Sequence, residues 1–143
     1  MLSGSPGSCA VLFAAIGIAI SGVARTSAAP ATAPAKWKDV DVAEFERLIK
    51  AGGHVLLDVR TPREFERGHI AGAVNIDVRA DDFDDRIDRL DRRRVLLVYC
   101  RSGERSARAC DRLVEKGFTK VFNLEGGIIA WEDAGKEVVG GQP

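Results

Sequence analysis

The sequence of 143 residues contains few of the residues that cross-link small secreted proteins or bind metals. It has three cysteines and two histidines, too few and too scattered for a disulfide scaffold or a metal site of Cys/His spacing. It also has no net charge, because 21 Lys and Arg balance 21 Asp and Glu. A dedicated nucleic-acid binder needs a basic excess. We therefore predict no metal, no cofactor and no nucleic-acid partner.

Charge is nearly missing from the first 35 residues, where Arg25 is the only charged side chain. An uninterrupted apolar run from Cys9 to Ile20 precedes small residues, which is typical of a secretory signal and its cleavage zone. We predict a signal peptide over 1–28 and a Pro/Ala linker over 29–35, with export to the periplasm. The alternatives are an uncleaved inner-membrane anchor, for which roughly 20 apolar residues are needed, and a misassigned start codon. The membrane is a partner only if the leader is uncleaved.

Residues 36–143 carry nearly all the charge and form one predicted domain. Short apolar runs predict buried strands, most clearly at His54–Val59 and Val95–Tyr99. Amphipathic stretches between such runs predict helices, for example Asp81–Leu90 and Ser106–Lys116. Strands alternating with helices indicate an α/β fold, with a mainly parallel sheet covered by helices on both faces. Ligand sites in such sheets lie at the carboxyl ends of the strands.

Cys100 follows one of these predicted strands directly and begins a polar loop. The loop contains Arg101, Ser102, Gly103, Glu104, Arg105 and Ser106. Its backbone N–H groups and the start of the next helix should face the sulfur, and its two arginines add positive charge. These effects favour the thiolate, which is the nucleophile, and the same loop suits an anionic substrate. We therefore predict a catalytic Cys100 and an anion-binding loop over 101–106, whereas Cys110 is predicted to pack in the core.

Three stretches of the sequence, in this order, resemble the signatures of the single-domain rhodaneses, which are sulfurtransferases. They are residues 58–60 with 64–73, residues 100–106, and residues 124–131. The first resembles the N-terminal signature, with Ala71 where proline is usual, and the second resembles the active-site loop. The third resembles the C-terminal signature, with Ile128 in place of the usual aromatic residue.

This resemblance implies a rhodanese-like sheet of five strands and a persulfide on Cys100. The thiolate would attack the outer sulfur of thiosulfate, or of a similar small anionic donor, and expel sulfite. A thiol or cyanide would then accept the sulfur, and a protein acceptor also fits the scheme. The charges of Arg101 and Arg105 favour the dianionic thiosulfate over mercaptopyruvate.

Three further polar residues are supporting candidates for this site. They are Asp58, Arg60 and His69. A buried ion pair of Arg60 with Asp58 or Glu64 is the simpler interpretation of the first two. A hydrogen bond from His69 to the backbone is the simpler interpretation of the third.

Two other functions remain open from the sequence. The first is a sulfur-carrier or binding module of the same fold that does not turn over. The second is a cysteine phosphatase or arsenate reductase, whose loop needs an arginine six positions after the cysteine. This chain has Ser106 there and Arg105 one residue early, so the loop is one residue short. Persulfide formation with a small donor distinguishes these functions.

Overall fold

The computed structural model describes residues 36–141, so the predicted signal peptide and linker lie outside the described residues. The strands are β1 (Lys38–Val40), β2 (His54–Asp58), β3 (Val74–Asn75), β4 (Val95–Tyr99) and β5 (Val121–Leu124). The helices are α1 (Val42–Ala51), α2 (Pro62–Arg67), α3 (Phe83–Asp88), α4 (Glu104–Glu115) and α5 (Gly127–Asp133). Within 36–141, no helix has the length and apolar character needed to span a bilayer.

The five strands form one parallel sheet in the order β1-β5-β4-β2-β3. The central strand β4 alternates its side chains between two hydrophobic clusters, with Leu96 and Val98 in one and Leu97 and Tyr99 in the other. Helices α3 and α4 pack into the first cluster, and α1 and α5 into the second. The predicted α/β fold with helices on both faces is therefore confirmed.

The register of the sheet brings the polar strand ends together. Strand β2 pairs with β4, and Asp58 lies opposite Tyr99. The chain continues from these ends into Val59-Arg60 and into Cys100. Because both strands are parallel, Arg60 and Cys100 emerge at the same edge of the sheet.

Helices α3 and α4 differ in their bounds from the sequence prediction. Helix α4 begins at Glu104 rather than Ser106, because Gly103 adopts a left-handed conformation (φ 103°) that turns the chain into the helix early. Helix α3 is shorter than predicted at both ends. After α3 the chain makes a single turn of the 3₁₀ type, in which the Leu90 N–H donates to the carbonyl of Ile87, three residues earlier (3.0 Å).

Candidate active site

The sulfur of Cys100 lies fully buried at the carboxyl end of β4. Its Sγ accepts a hydrogen bond from the Gly103 N–H (3.1 Å) and another from the Ser106 hydroxyl (3.4 Å). The Ser106 hydroxyl also lies 3.0 Å from the Gly103 carbonyl. The turn at Gly103 and the first turn of α4 thus enclose the sulfur on the side of the loop.

Hydrogen bonds decide the ionisation of this thiol. Burial raises the pKa of Cys100, but donors from the Ser106 hydroxyl and from the backbone N–H groups of Ser106, Gly103 and Ser102 outweigh it. The net pKa of the Cys100 thiol lies below its ordinary value. The N-terminus of α4 acts in the same direction, because the positive end of the helix dipole favours an anion. These contacts therefore favour the thiolate form of Cys100, which is the nucleophilic form of a cysteine.

The second described cysteine has the opposite environment. Cys110 is fully buried within the hydrophobic cluster on the α4 side of the sheet. Burial raises the pKa of its thiol, and the nearby Asp111 carboxylate adds to the effect. Both Cys100 and Cys110 are free thiols. The burial of Cys110 agrees with the core packing predicted for it.

Arg105 forms an ion pair with a carboxylate, whereas the sequence predicted that its positive charge would act on the sulfur. Its guanidinium donates two hydrogen bonds to the Glu64 carboxylate, at 2.7 and 2.8 Å. The bond from Arg105 is the largest cause that lowers the pKa of Glu64 to about 2, so the carboxylate stays ionised. The two free positive charges expected beside the sulfur are thus reduced to one, on Arg101. Arg101 is exposed and forms no ion pair within the described residues.

The start of α2 fixes Glu64 in this position. The Thr61 hydroxyl accepts a bond from the Glu64 N–H (3.3 Å), and the Glu64 carboxylate accepts one from the Thr61 N–H (3.1 Å). This reciprocal capping box, with Pro62 in the first turn, locks the orientation of the carboxylate. The pairing of Glu64 with Arg105 was not predicted from the sequence. The feature of the sequence that could have marked Glu64 as a site residue is its position within the N-terminal signature, at residues 64–73.

Asp58 and Arg60 form the buried ion pair that the sequence suggested. The Arg60 guanidinium donates to both Asp58 oxygens at 2.6 to 3.0 Å, and it also donates to the Gly68 carbonyl (2.6 Å). It lies 5.7 Å from the centre of the Tyr99 ring. Glu64 is not its ion-pair partner. These contacts join the end of β2, the end of β4 and the residues after α2.

His69 is held by the backbone, as the simpler interpretation proposed. Its Nδ1 lies 2.9 Å from the Phe65 carbonyl, and its ring stacks on the Phe65 ring at 3.7 Å. Its backbone forms an antiparallel bridge with Val139. No hydrogen bond within residues 36–141 joins His69 to Cys100.

The C-terminal signature supports the cysteine loop from behind. The Ile128 N–H donates to the Cys100 carbonyl (2.9 Å), and the Ile129 N–H donates to the Arg101 carbonyl (3.3 Å). A Cβ at Gly127 would lie 2.6 Å from the Cys100 carbonyl oxygen, closer than carbon and oxygen can approach. This role of the third signature was not predicted from the sequence, because it depends on a long-range backbone contact.

A cleft of about 340 Å³ opens beside the cysteine loop. Helix α2 contributes Glu64 and Arg67 to it, helix α5 contributes Ile128, Ile129 and Glu132, and the loop contributes Arg101. We call this cavity the loop cleft. Glu104 and Ser102 are exposed on another side of the loop, where they line a separate groove of about 260 Å³. Within residues 36–141, no group of three His, Cys, Asp or Glu side chains is placed to hold a metal ion.

Comparisons with known proteins agree with this fold. A family model described as the rhodanese-like domain matches residues 41–134. A sulfurtransferase of Allochromatium vinosum is 37% identical over 94 residues, which are 66% of this chain and 86% of the relative. Thiosulfate sulfurtransferase GlpE of Shewanella oneidensis is 33% identical over 98 residues, covering 68% of this chain and 95% of the relative. The crystal structure of a rhodanese-related protein from Thermoplasma volcanium matches with a TM-score of 0.64 at 32% identity, over 72% of this chain and 98% of that one. The chain therefore belongs to the rhodanese-like domain family.

Proposed function

We propose that this protein is a sulfurtransferase that carries a sulfane sulfur on Cys100. The donor is thiosulfate or a similar small anion, and the acceptor is a thiol or cyanide. The observation that carries the proposal is the Cys100 sulfur, which accepts bonds from the Gly103 N–H and the Ser106 hydroxyl and has a lowered pKa. The names of relatives such as thiosulfate sulfurtransferase 18 of Arabidopsis thaliana support the same class of reaction.

The first half of the reaction loads the cysteine. The Cys100 thiolate attacks the outer sulfur of thiosulfate, a new S–S bond forms, and the S–S bond within thiosulfate breaks. Sulfite leaves with the electron pair of the broken bond. The persulfide carries one negative charge, which the N–H groups of the loop stabilise as they stabilise the thiolate. No general base is needed, because the attacking group is the anion that the loop favours.

The second half unloads the cysteine. Cyanide attacks the outer sulfur of the persulfide, forms a C–S bond and leaves as thiocyanate. The S–S bond to Cys100 breaks, and its electron pair returns to Sγ as the thiolate. A thiolate acceptor reacts in the same way and leaves as a persulfide. Charge and atoms balance in each half, with no redox partner.

Thiocyanate formation from thiosulfate and cyanide tests this function on the full chain. We expect turnover in the wild type and in Cys110→Ser, and none in Cys100→Ser. A folded protein whose Cys100 is alkylated readily but forms no thiocyanate would favour the carrier or binding module. Hydrolysis of p-nitrophenyl phosphate, with no sulfur transfer, would favour the phosphatase instead.

Donor choice depends on Arg101 in this proposal, because the charge of Arg105 is compensated by Glu64. We expect Arg101→Ala to lower the rate with thiosulfate more than the rate with mercaptopyruvate. The measurement compares kcat/KM for both donors in the two proteins. An equal donor ratio in wild type and variant would contradict the assignment.

We also propose that residues 1–28 direct export to the periplasm. The support is the apolar run from Cys9 to Ile20 with small residues after it. Cell fractionation followed by N-terminal sequencing of the recovered protein tests this. Full-length protein in the membrane fraction would favour the anchor, and full-length protein in the cytoplasm would contradict both.

A further inference from the structure

The loop cleft is lined by charged side chains both with and without an ion-pair partner among residues 36–141. Arg60 is compensated by Asp58 and Glu64 by Arg105, at N···O distances of 2.6 and 2.7 Å. Arg67, Arg101 and Glu132 also line the cleft. Within residues 36–141, none of these three forms an ion pair. The cleft therefore offers two uncompensated cations and one uncompensated anion to a ligand.

These three charges come from three different elements. Arg67 ends α2, Glu132 belongs to α5, and Arg101 follows Cys100 directly. The side chains are exposed, so they can be reached from solvent. A single ionic group cannot satisfy both signs. A ligand that carries a carboxylate and an ammonium group can.

The cleft also has an apolar wall. Ile128 and Ile129 line it, and Ile129 is 40% exposed, one of only three large hydrophobic side chains so exposed within residues 36–141. The first turn of α5 is held against the loop by the bond from the Ile128 N–H to the Cys100 carbonyl. An aliphatic stem placed on Ile129 would thus lie next to the loop that holds the sulfur.

The volume of the cleft exceeds what the simple substrates fill. Its roughly 340 Å³ equals the liquid volume of roughly ten water molecules, at about 30 Å³ each. Cyanide and thiosulfate have two and five non-hydrogen atoms and occupy a small part of it. The remaining space fits a molecule of the size of an amino acid.

We propose that the loop cleft binds the sulfur acceptor, and that this acceptor is a small zwitterionic thiol such as an amino-acid thiol. Its carboxylate pairs with Arg67 and Arg101, its ammonium group pairs with Glu132, and its stem contacts Ile129. This inference rests on the proposed sulfurtransferase function. Because sulfite leaves before the acceptor enters, Arg101 serves donor and acceptor in succession.

The transfer step follows from this placement. The acceptor thiol loses its proton to solvent, and its thiolate attacks the outer sulfur of the Cys100 persulfide. A new S–S bond forms on the acceptor while the bond to Cys100 breaks. Cys100 returns to the thiolate, and the acceptor leaves as a persulfide.

Acceptors with matched stems test the charges one at a time. The full chain is loaded with thiosulfate, and its reaction with cysteine, 3-mercaptopropionate, cysteamine and 2-mercaptoethanol is followed in single turnovers. Rates are normalised to the thiolate concentration of each acceptor. We expect cysteine to react fastest and 2-mercaptoethanol slowest. Each ionic group should contribute roughly 1.5- to five-fold, the range of an exposed ion pair.

Charge-neutralising variants assign each group to its partner. We expect Arg67→Gln to reduce the advantage of the acceptors with a carboxylate, which still pairs with Arg101. We expect Glu132→Gln to remove the advantage of the acceptors with an ammonium group. The matched controls are Arg63→Gln, one turn earlier on α2, and Asp133→Asn, next to Glu132. Neither control residue lines the loop cleft, so the order of acceptors should not change. An unchanged order in Arg67→Gln and Glu132→Gln would overturn the proposal.

A binding measurement separates this inference from the proposed function. S-methylcysteine has the same two charges but no thiol, so it binds without accepting sulfur. We expect it to slow alkylation of Cys100 by iodoacetamide in the wild type, and to do so less in Arg67→Gln. Protection without sulfur transfer would refute the proposed function and keep the ligand class. Sulfur transfer to cyanide without protection would refute the ligand class alone.

Discussion

The two free cysteines of the domain differ in what surrounds each sulfur. Cys100 and Cys110 are both fully buried and belong to the same hydrophobic cluster. Burial alone would raise the pKa of both thiols. Only Cys100 has a hydroxyl and several backbone N–H groups directed at its sulfur. The cysteine proposed to carry the sulfur is therefore distinguished from Cys110 by hydrogen-bond donors at 3.1 and 3.4 Å and not by exposure.

Removing the Ser106 hydroxyl should weaken the nucleophile. We expect Ser106→Ala to raise the pKa of the Cys100 thiol and to slow its alkylation at pH 7 roughly five-fold, for one lost hydrogen bond of about 1 kcal/mol. The measurement is the pH dependence of the iodoacetamide reaction. Ser102→Ala is the control, because Ser102 donates through its backbone N–H, which the substitution keeps. An identical pH profile in Ser106→Ala would contradict this role.

The bond between Glu64 and Arg105 should make stability depend on acidity. The pKa of Glu64 is lowered from 4.5 to about 2, so its contribution to folding is complete above pH 4.5 and lost as the pH falls towards 2. We expect the advantage of the wild type over Glu64→Gln, of up to about 1 kcal/mol at pH 7, to shrink across that window. Urea unfolding at several pH values measures it.

The matched control for this titration is Glu66→Gln, on the same helix. Glu66 forms no ion pair within the described residues. Its substitution should change the free energy of unfolding little at any pH. A difference between wild type and Glu64→Gln that stays constant from pH 7 to pH 2.5 would exclude the ion pair as its source.

At the scale of elements, the start of α5 and the cysteine loop form one unit. Gly127 has a φ of +61° and packs directly on the Cys100 and Arg101 carbonyl groups. We expect Gly127→Ala to lower the free energy of unfolding by more than about 3 kcal/mol. The new Cβ would force the backbone of the cysteine loop to move, and alanine would also be strained at this positive φ. Gly135→Ala is the control, since Gly135 has a similar φ of +73° but open space around it. It should cost about 1 to 2 kcal/mol.

The readouts for this pair are urea unfolding and the alkylation rate of Cys100. We expect both to change in Gly127→Ala, and only the free energy of unfolding to change in Gly135→Ala. Equal losses of unfolding free energy in the two variants would mean that the contact of Gly127 with the loop does not contribute to stability.

Local patterns in the sequence predicted most of these elements. Strand β4 was predicted at its observed bounds, because five apolar residues that include β-branched and aromatic side chains follow three arginines and are too few for a typical helix. The cap of α2 at Thr61 is likewise visible in the local sequence, since capping depends on residues three positions apart, here Thr61 and Glu64. The start of α4 was predicted two residues late, because the left-handed turn at Gly103 does not alter the hydrophobic pattern. The local order of residues was thus enough to locate these helices and strands.

The missed parts of the candidate site are long-range contacts. Glu64 and Arg105 are 41 residues apart in the chain. Arginines and glutamates are numerous in this sequence, so composition cannot select that pair. The same holds for Gly127 against the Cys100 carbonyl. Cys100 itself was recognisable because its strand, its glycine and its helix follow one another directly.

At the scale of the whole domain, the C-terminal residues join both walls of the loop cleft. The Glu137 carbonyl accepts a bond from the Trp131 indole N–H (3.0 Å) on the α5 side. Val139 exchanges two backbone bonds with His69 (2.8 Å each), just beyond α2. The Gly141 N–H donates to the Glu66 carbonyl (2.8 Å). The segment 137–141 therefore fixes the distance between the two helices that line the cleft.

Deleting residues 137–143 should loosen the cleft. We expect a loss of about 2 to 4 kcal/mol, from four hydrogen bonds of about 1 kcal/mol each, and rapid exchange of the His69 amide. Urea unfolding and amide hydrogen exchange measure the two effects. Val139→Ala is the control, because it keeps the backbone bonds and truncates a side chain that is 43% exposed. Continued protection of the His69 amide in the deletion variant would show that the segment 137–141 is not needed to hold this part of the cleft.

The burial of the Cys100 sulfur predicts how ionic strength affects the reaction. Dissolved ions screen exposed charges over about 8 to 10 Å at physiological ionic strength, but they do not weaken buried hydrogen bonds between fixed groups. The sulfur is fully buried and held by N–H and O–H donors, whereas Arg67, Arg101 and Glu132 of the loop cleft face solvent. Added salt should therefore raise KM for charged substrates and leave kcat nearly constant. Capture of substrate and reactivity of sulfur thus respond separately to the medium in which the protein works.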